Sequence, residues 1–182
     1  MDRLHKIAEL VRGKDVLDIG STGDAAGNDA LFRTILAEAK NVTGIDILPS
    51  PHRHVVQGNM ENYGFRKKFD VIVAGDVLEH IDNQGLFLAN IRRHLRKDGL
   101  LFLSTPNAKW WTIIYRPHTT HVLWHDQYTL RLLLERAGFS IRELGFYHGN
   151  WTRAGFWNRL FYRRRQICVV CGIRDGVRAP GR

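Results

Sequence analysis

A set of polar residues in this 182-residue chain falls at a recurring kind of position, at or just beyond the end of a short apolar run. Asp18 and Gly20 close the run 15–20 (DVLDIG), and Asp46 closes 41–46 (NVTGID). Asn59 and Met60 follow 54–58 (HVVQG). Gly75, Asp76, Glu79 and His80 end or follow 69–75 (FDVIVAG), and Thr105, Pro106 and Asn107 end or follow 99–105 (GLLFLST). Runs of this length, rich in Val, Ile, Leu and Phe, read as buried strands. In an open parallel sheet, ligands bind beyond the carboxyl ends of the central strands. Polar groups converging on that edge describe a ligand site better than a packing scheme.

The residue types narrow the ligand. An acid ending the second strand, Asp46, can accept both hydroxyls of an adenosine ribose, which suits a dinucleotide and S-adenosylmethionine alike. A dinucleotide site needs G-x-G-x-x-G, so that backbone can approach a pyrophosphate. Here the loop after the first strand reads Gly20-Ser21-Thr22-Gly23-Asp24, which lacks that spacing. Asp18 and Asp24 would also repel a pyrophosphate, whereas they suit a sulfonium and an ammonium group. The charge pattern therefore favours S-adenosylmethionine as cofactor. Methyl transfer from a sulfonium is mostly a matter of holding the acceptor in line. A hydroxyl acceptor is helped by a general base, for which His80, His121, His125 and Asp126 are candidates. His121, in the loop after the fifth strand, and His80 are assigned that role.

These residues need a scaffold, and the rest of the chain supplies its pattern. Leu4, Ile7, Leu10 and Val11 recur at helical spacing over 3–12, and Leu31, Ile35, Leu36 and Ala39 over 28–39. Further helices are expected over 84–96, closed by Lys97-Asp98-Gly99, and over 127–137, ended by Gly138. Two more strands follow, 139–147 and 166–173. Strands alternating with helices predict an α/β fold: three layers around a seven-stranded, mostly parallel, Rossmann-like sheet with the last strand antiparallel. The whole of 1–182 is expected to be one domain. Within it, 148–165 forms a lid or crossover insertion before the last strand.

Composition sets outer limits. Hydrophobic residues at 44% and charged residues at 25% suit a globular protein, and no apolar run approaches a membrane span. The charged N-terminus lacks an apolar signal core, so a cytoplasmic protein is expected. Cys168 and Cys171 lie three apart in a strand and face opposite sides, with no second ligand pair at zinc spacing; packed thiols and no metal are expected. The net charge of +9 comes almost entirely from residues after 130. Such a tail suits anionic partners, although a solvated basic face explains it equally. Trp151, Trp157, Leu160 and Phe161 interleave with Arg163, Arg164 and Arg165, as in helices that lie on anionic membranes. A crossover helix packed on the core is the preferred explanation, with peripheral membrane contact as the other.

The motifs VLDIGSTGD, TGIDI, GNMEN, FDVIVAGDVLEHI, LRKDGLLFLSTPN and HVLWHDQYTLRLLLERAGFSI occur in that order. Over residues 14–147 the chain resembles class I S-adenosylmethionine-dependent methyltransferases, nearest to a small group associated with glycan and cell-envelope pathways. The resemblance implies that Asp18, Gly20, Ser21 and Thr22 line the methionine end of the cofactor. Asp46 would bind the ribose and Ile47 pack on the adenine, with Asn59 and Met60 at the adenine edge. Gly75 and Asp76 would close over the methionine moiety. The acceptor implied is a sugar or other small hydroxyl compound, not nucleic acid. Two departures stand out. Ser21-Thr22 follows Gly20 where relatives have Gly-x-Gly, and Asn59 replaces an Asp. The long spacing from Asp18 to Asp46 suggests a small insertion over 25–29. Two alternatives remain open at this stage. Asp76, Glu79, His80 and His125 resemble the metal set of RNA 2′-O-methyltransferases. The domain could also be a cofactor-free binding module.

Overall fold

The computed structural model describes residues 3–23, 29–109, 120–146 and 166–174. Seven strands form one sheet: β1 (Asp15–Ile19), β2 (Asn41–Asp46), β3 (Val55–Gln57), β4 (Phe69–Gly75), β5 (Leu95–Pro106), β6 (Phe139–Phe146) and β7 (Gln166–Ile173). Their order is β3-β2-β1-β4-β5-β7-β6. β7 runs antiparallel to both neighbours, β5 and β6, and the β1–β5 pairs are parallel. This is the seven-stranded sheet that the alternating pattern predicts.

Alternate strand residues enter different layers, because successive side chains point to opposite faces. Val16, Val71 and Val73 pack with Ile7, Val11 and Ile35, the inner faces of α1 (Arg3–Val11) and α2 (Ala30–Glu38). Leu17, Ile72 and Ala74 pack on the other side. There they meet Phe87, Leu88 and Ile91 of α3 (Gln84–His94) and Leu130 and Leu134 of α4 (Gln127–Arg136). Cys168 and Cys171 are buried, one in each of these two separate layers. Burial on both faces explains why the central strands read as continuous apolar runs.

Helix starts follow local chemistry. The Asn83 side chain accepts the amide of Leu86 to cap α3. Asp126 and Thr129 cap α4 reciprocally, and Gly138, at φ 88°, ends it. The largest departure from the expected boundaries is at α3. α3 stops at His94, and β5 begins at Leu95 rather than at Gly99. Leu95 is fully buried opposite Phe69, and the register shifts before Val71 meets Leu100. Burying Leu95 beside Phe69 outweighs continuing the helix, and Arg96–Asp98 bulge into solvent. Among the described residues, no helix is long and apolar enough to cross a membrane. The expected lid or crossover at 148–165, Trp151 to Arg165 included, and Asp24 lie outside the described residues, as does most of the suspected insertion at 25–29.

The strand order reverses between β1, whose chain goes on to β2, and β4, whose chain goes on to β5. Their carboxyl ends therefore form the crevice in which a ligand fits.

Candidate active site

The loop after β1 turns at Gly20, φ 80°, where the amide donates to Ile45 O at 2.9 Å. A Cβ there would stand 2.6 Å from Val77 Cγ2, so the position needs glycine twice over. Ser21 is buried, and its hydroxyl donates to Asp18 O at 2.8 Å. It has room because Gly44 on β2 carries no side chain; a Cβ there would lie 2.6 Å from Ser21 Oγ. The missing glycine of Gly20-Ser21-Thr22 is thus answered on the next strand, and Gly23, φ 86°, completes the turn.

At this turn two oxygens, Asp18 Oδ1 and Thr22 Oγ1, are buried with no hydrogen-bond partner among the described residues. Asp18 is 1% exposed. Burial pushes its carboxyl up to about 7; the Ser21 hydroxyl opposes this and the charge of Asp46 adds to it. Buried polar atoms are nearly always paired, so two such atoms at one turn mark a place built for something else to bind.

Asp46 ends β2 beside that loop. Its Oδ2 accepts the Thr22 amide and its Oδ1 the Leu48 amide, both at 2.9 Å. Ile47 and Leu48 stand 67% and 56% exposed, an apolar step next to the acid. The Gln57 side chain holds Ile47 O at 3.1 Å. Asn59 is exposed after β3, and its Oδ1 accepts the Glu61 amide at 2.8 Å, shaping the turn. Met60 is brought to the same turn, but its side chain is 3% exposed and packs in the core. Only its backbone is available at that edge.

Beyond β4, Gly75 allows α2 to approach; a Cβ would lie 2.6 Å from Leu31 Cδ2. Asp76 takes φ 57°, a left-handed conformation that Asp tolerates better than bulky residues. Three donors hold its carboxylate. Arg3 Nη1 donates to Oδ2 at 2.6 Å, Ser104 Oγ donates to Oδ1 at 3.1 Å, and Gln166 Nε2 donates to Oδ1. Arg3, Ser104 and Gln166 come from α1, β5 and β7, and sequence reasoning did not select them. The only sequence signal was indirect: an Arg on the first helix and polar residues ending two strands.

The 3-10 turn Leu78–His80 places Glu79 inside and His80 outside. Glu79 is 1% exposed, and Thr105 Oγ1 donates to its Oε2 at 3.0 Å. Burial, then the nearby Asp76 charge, push its carboxyl up to about 8. The carbonyl of Glu79 accepts the amide of Val122 at 2.9 Å, which fastens the segment 120–126 to the turn. His121 thereby meets His80 edge to face, ring centres 4.6 Å apart, and its ring centre is also 4.6 Å from that of Trp124. Glu79, His80 and His121 each bring one ligand atom within 4.8 Å of the others. The sequence set Asp76, Glu79, His80 and His125 is not the one that assembles. Asp76 is turned to Arg3, and His125 Nε2 pairs with Gln84 Oε1 at 2.9 Å. Burial lowers the pKa of His125. Asp126, a further base candidate, is held down to about 2 by its hydrogen bonds to the Thr129 amide and Lys109.

These residues fit S-adenosylmethionine. An orphaned buried carboxylate oxygen, an acid beside an apolar step and a glycine turn lie at one crevice. The comparisons agree. Residues 1–144 match the family described as Methyltransferase domain. A Mycolicibacterium smegmatis protein named as a probable S-adenosylmethionine-dependent methyltransferase is 30% identical over 162 residues, 80% of this chain and 60% of its own length. A ubiquinone biosynthesis O-methyltransferase of Rickettsia conorii is 25% identical over 116 residues, 57% of this chain and 38% of its own length. A Glaesserella parasuis enzyme of that name is 29% identical over 177 residues, 80% of this chain and 73% of its own. The chain thus spans less than two thirds of the first two of these relatives. In fold it is similar to a SAM-dependent methyltransferase from Archaeoglobus fulgidus, with TM-score 0.73 and 17% identity over 93% of this chain and 91% of that one. A Burkholderia thailandensis N1-methyltransferase solved with bound S-adenosylhomocysteine gives TM-score 0.68 and 18% identity over 94% and 78%. With the family matched along residues 1–144 and the sheet built in this order, the chain belongs to the methyltransferase domain family, in its S-adenosylmethionine-dependent class.

Proposed function

We propose that the chain transfers the methyl group of S-adenosylmethionine to a hydroxyl oxygen of a sugar or other small acceptor, leaving S-adenosylhomocysteine. The observation that carries this reading is the pair of buried oxygens, Asp18 Oδ1 and Thr22 Oγ1, which have no partner among the described residues, beside Asp46 at the crevice. Bound S-adenosylmethionine supplies a methyl group made electrophilic by positively charged sulfur. Asp46 takes the ribose hydroxyls, and Ile47 offers the adenine an apolar face. Asn59 and the Met60 backbone stand at the adenine edge. Asp18, Gly20, Ser21 and Thr22 line the methionine end, where the acid balances its ammonium. Gly75 and Asp76 close over that end. His121 and His80 stand on the acceptor side and activate the hydroxyl.

An oxygen acceptor is supported by the relatives named as O-methyltransferases. A glycan acceptor rests on the motif resemblance to envelope-pathway enzymes. That setting also suits a cytoplasmic protein touching an anionic membrane through the basic segment 151–165. Transfer of labelled methyl from S-adenosylmethionine into sugar, lipid and RNA pools tests the reading. Label in sugar or another small hydroxyl compound is expected. Label confined to RNA would overturn the acceptor, and absence of any cofactor binding by calorimetry would overturn the enzyme.

A further inference from the structure

The turn after β3 holds an amide side chain whose two ends are not equivalent. Asn59 Oδ1 accepts the Glu61 amide at 2.8 Å. A backbone N–H only donates, so the atom facing it is the oxygen, and Nδ2 is the end left for another group. The side chain is exposed, and Nδ2 has no partner among the described residues. We infer that Asn59 meets the base of the cofactor as a donor to a ring nitrogen and does not accept from its 6-amino group, so that the site holds adenine without selecting for the amine. This deepens the proposed function and rests on its placing of the adenine at this edge.

Three observations carry this. The first is that the side chain is locked in one sense. Asn59 O accepts the amides of Asn62 at 3.1 Å and Tyr63 at 2.8 Å, so backbone and side chain of one residue together hold the turn. Turning the amide over would set Nδ2 against the Glu61 N–H, donor to donor, and leave that N–H unpaired. The second is position. The Gly58 amide donates to Asp46 O at 2.8 Å, which places the turn directly beside the acid assigned to the ribose. The Tyr63 ring backs this joint closely, since a Cβ on Gly58 would stand 2.4 Å from Tyr63 Cδ2. The third concerns the neighbouring polar side chains. Glu61 Oε1 accepts the Asn83 amide at 3.3 Å, which ties that acid to the start of α3, and Gln57 Nε2 is spent on Ile47 O.

The chemistry follows from the two ends of the amide. Adenine offers its amine as a donor and the ring nitrogens flanking that amine as acceptors. A free Asn reads both, accepting from the amine with its oxygen and donating to a ring nitrogen. With Oδ1 used by Glu61, only the bond from Nδ2 remains. An Asp at this position would keep the Glu61 amide with one oxygen and offer the other to the amine, so Asn59→Asp should create the selectivity that the parent lacks.

The test compares two ligands by calorimetry: S-adenosylhomocysteine and its analogue carrying unsubstituted purine, which lacks the amine and keeps the ring nitrogens. The parent protein should bind the two within about threefold, because no hydrogen bond to the amine is lost. Asn59→Asp should prefer S-adenosylhomocysteine by roughly tenfold or more, as expected for a hydrogen bond to a charged group. Asn59→Ala should weaken both ligands alike, by roughly 2–10-fold. Melting midpoints close to that of the parent show that the variants are folded. A larger preference of the parent for the amine overturns the inference, and so does an Asn59→Asp variant with the selectivity of the parent. Binding of neither ligand by the parent protein would instead overturn the cofactor reading.

Discussion

The carboxylate of Asp46 accepts the Thr22 amide at 2.9 Å, and this bond ties the acid at the end of β2 to the glycine loop after β1. The same carboxylate holds the Leu48 amide, so the apolar step of Ile47 and Leu48 is fixed to it as well. One side chain therefore positions both walls of the crevice.

Asp46→Ala should remove the ribose acid and loosen both walls. Hydrogen bonds to charged groups contribute about 1.5–3 kcal/mol each. Affinity for S-adenosylhomocysteine is expected to fall by at least about tenfold, measured by calorimetry. The fold should persist, because Asp46 is only partly buried and lies outside both core layers. Unchanged affinity would mean that the ribose lies elsewhere.

Asp18 makes stability depend on pH in a direction opposite to an ion-paired carboxylate. Its folded pKa of about 7 lies above the ordinary value of 3.8. Between those values the folded state holds a proton that the unfolded chain has lost. The stabilisation is complete below the lower value and is lost as pH rises through about 7. From pH 5 to pH 8 the parent protein should lose about 2–3 kcal/mol relative to Asp18→Asn, read from urea unfolding at each pH. A bound ammonium or sulfonium group favours the carboxylate. Affinity for S-adenosylmethionine should therefore increase as pH rises through about 7, and the Asn variant should lack that slope.

Gly20→Ala combines a positive φ with a Cβ 2.6 Å from Val77. The left-handed backbone costs roughly 1–2 kcal/mol, and overpacking adds to it. A lower urea midpoint together with weaker cofactor binding is expected. A variant as stable as the parent would show that the turn relaxes freely.

His94 joins two elements through both ring nitrogens. Nδ1 lies 2.9 Å from Asn90 O, and Nε2 accepts the Phe65 amide at 2.9 Å. The residue is 2% exposed, and its ring meets Phe65 edge on at 5.4 Å. His94→Ala leaves a buried amide unpaired and a cavity beside Phe65. A loss of about 2–4 kcal/mol is expected, read from urea unfolding.

Local pattern determined a large part of this protein. The runs DVLDI, FDVIVAG and QICVVCGI are apolar on both faces, which requires a sheet covered on both sides, and the acids that follow the runs mark its ligand edge. Asp18, Asp46 and Asp76 could be found in this way because strand ends are visible in sequence. Tertiary structure alone decided which side chains meet across that edge. Gly44 makes room for Ser21, Arg3 and Gln166 hold Asp76, and His121 rather than His125 joins Glu79 and His80. Those contacts join residues tens of positions apart, and they depend on strand order, on the turn at Glu79 and on the absence of a Cβ. A periodicity of two or 3.6 residues carries no information about any of these. The early end of α3 has the same origin: Leu95 is pulled into the sheet by Phe69, a partner that only the fold supplies.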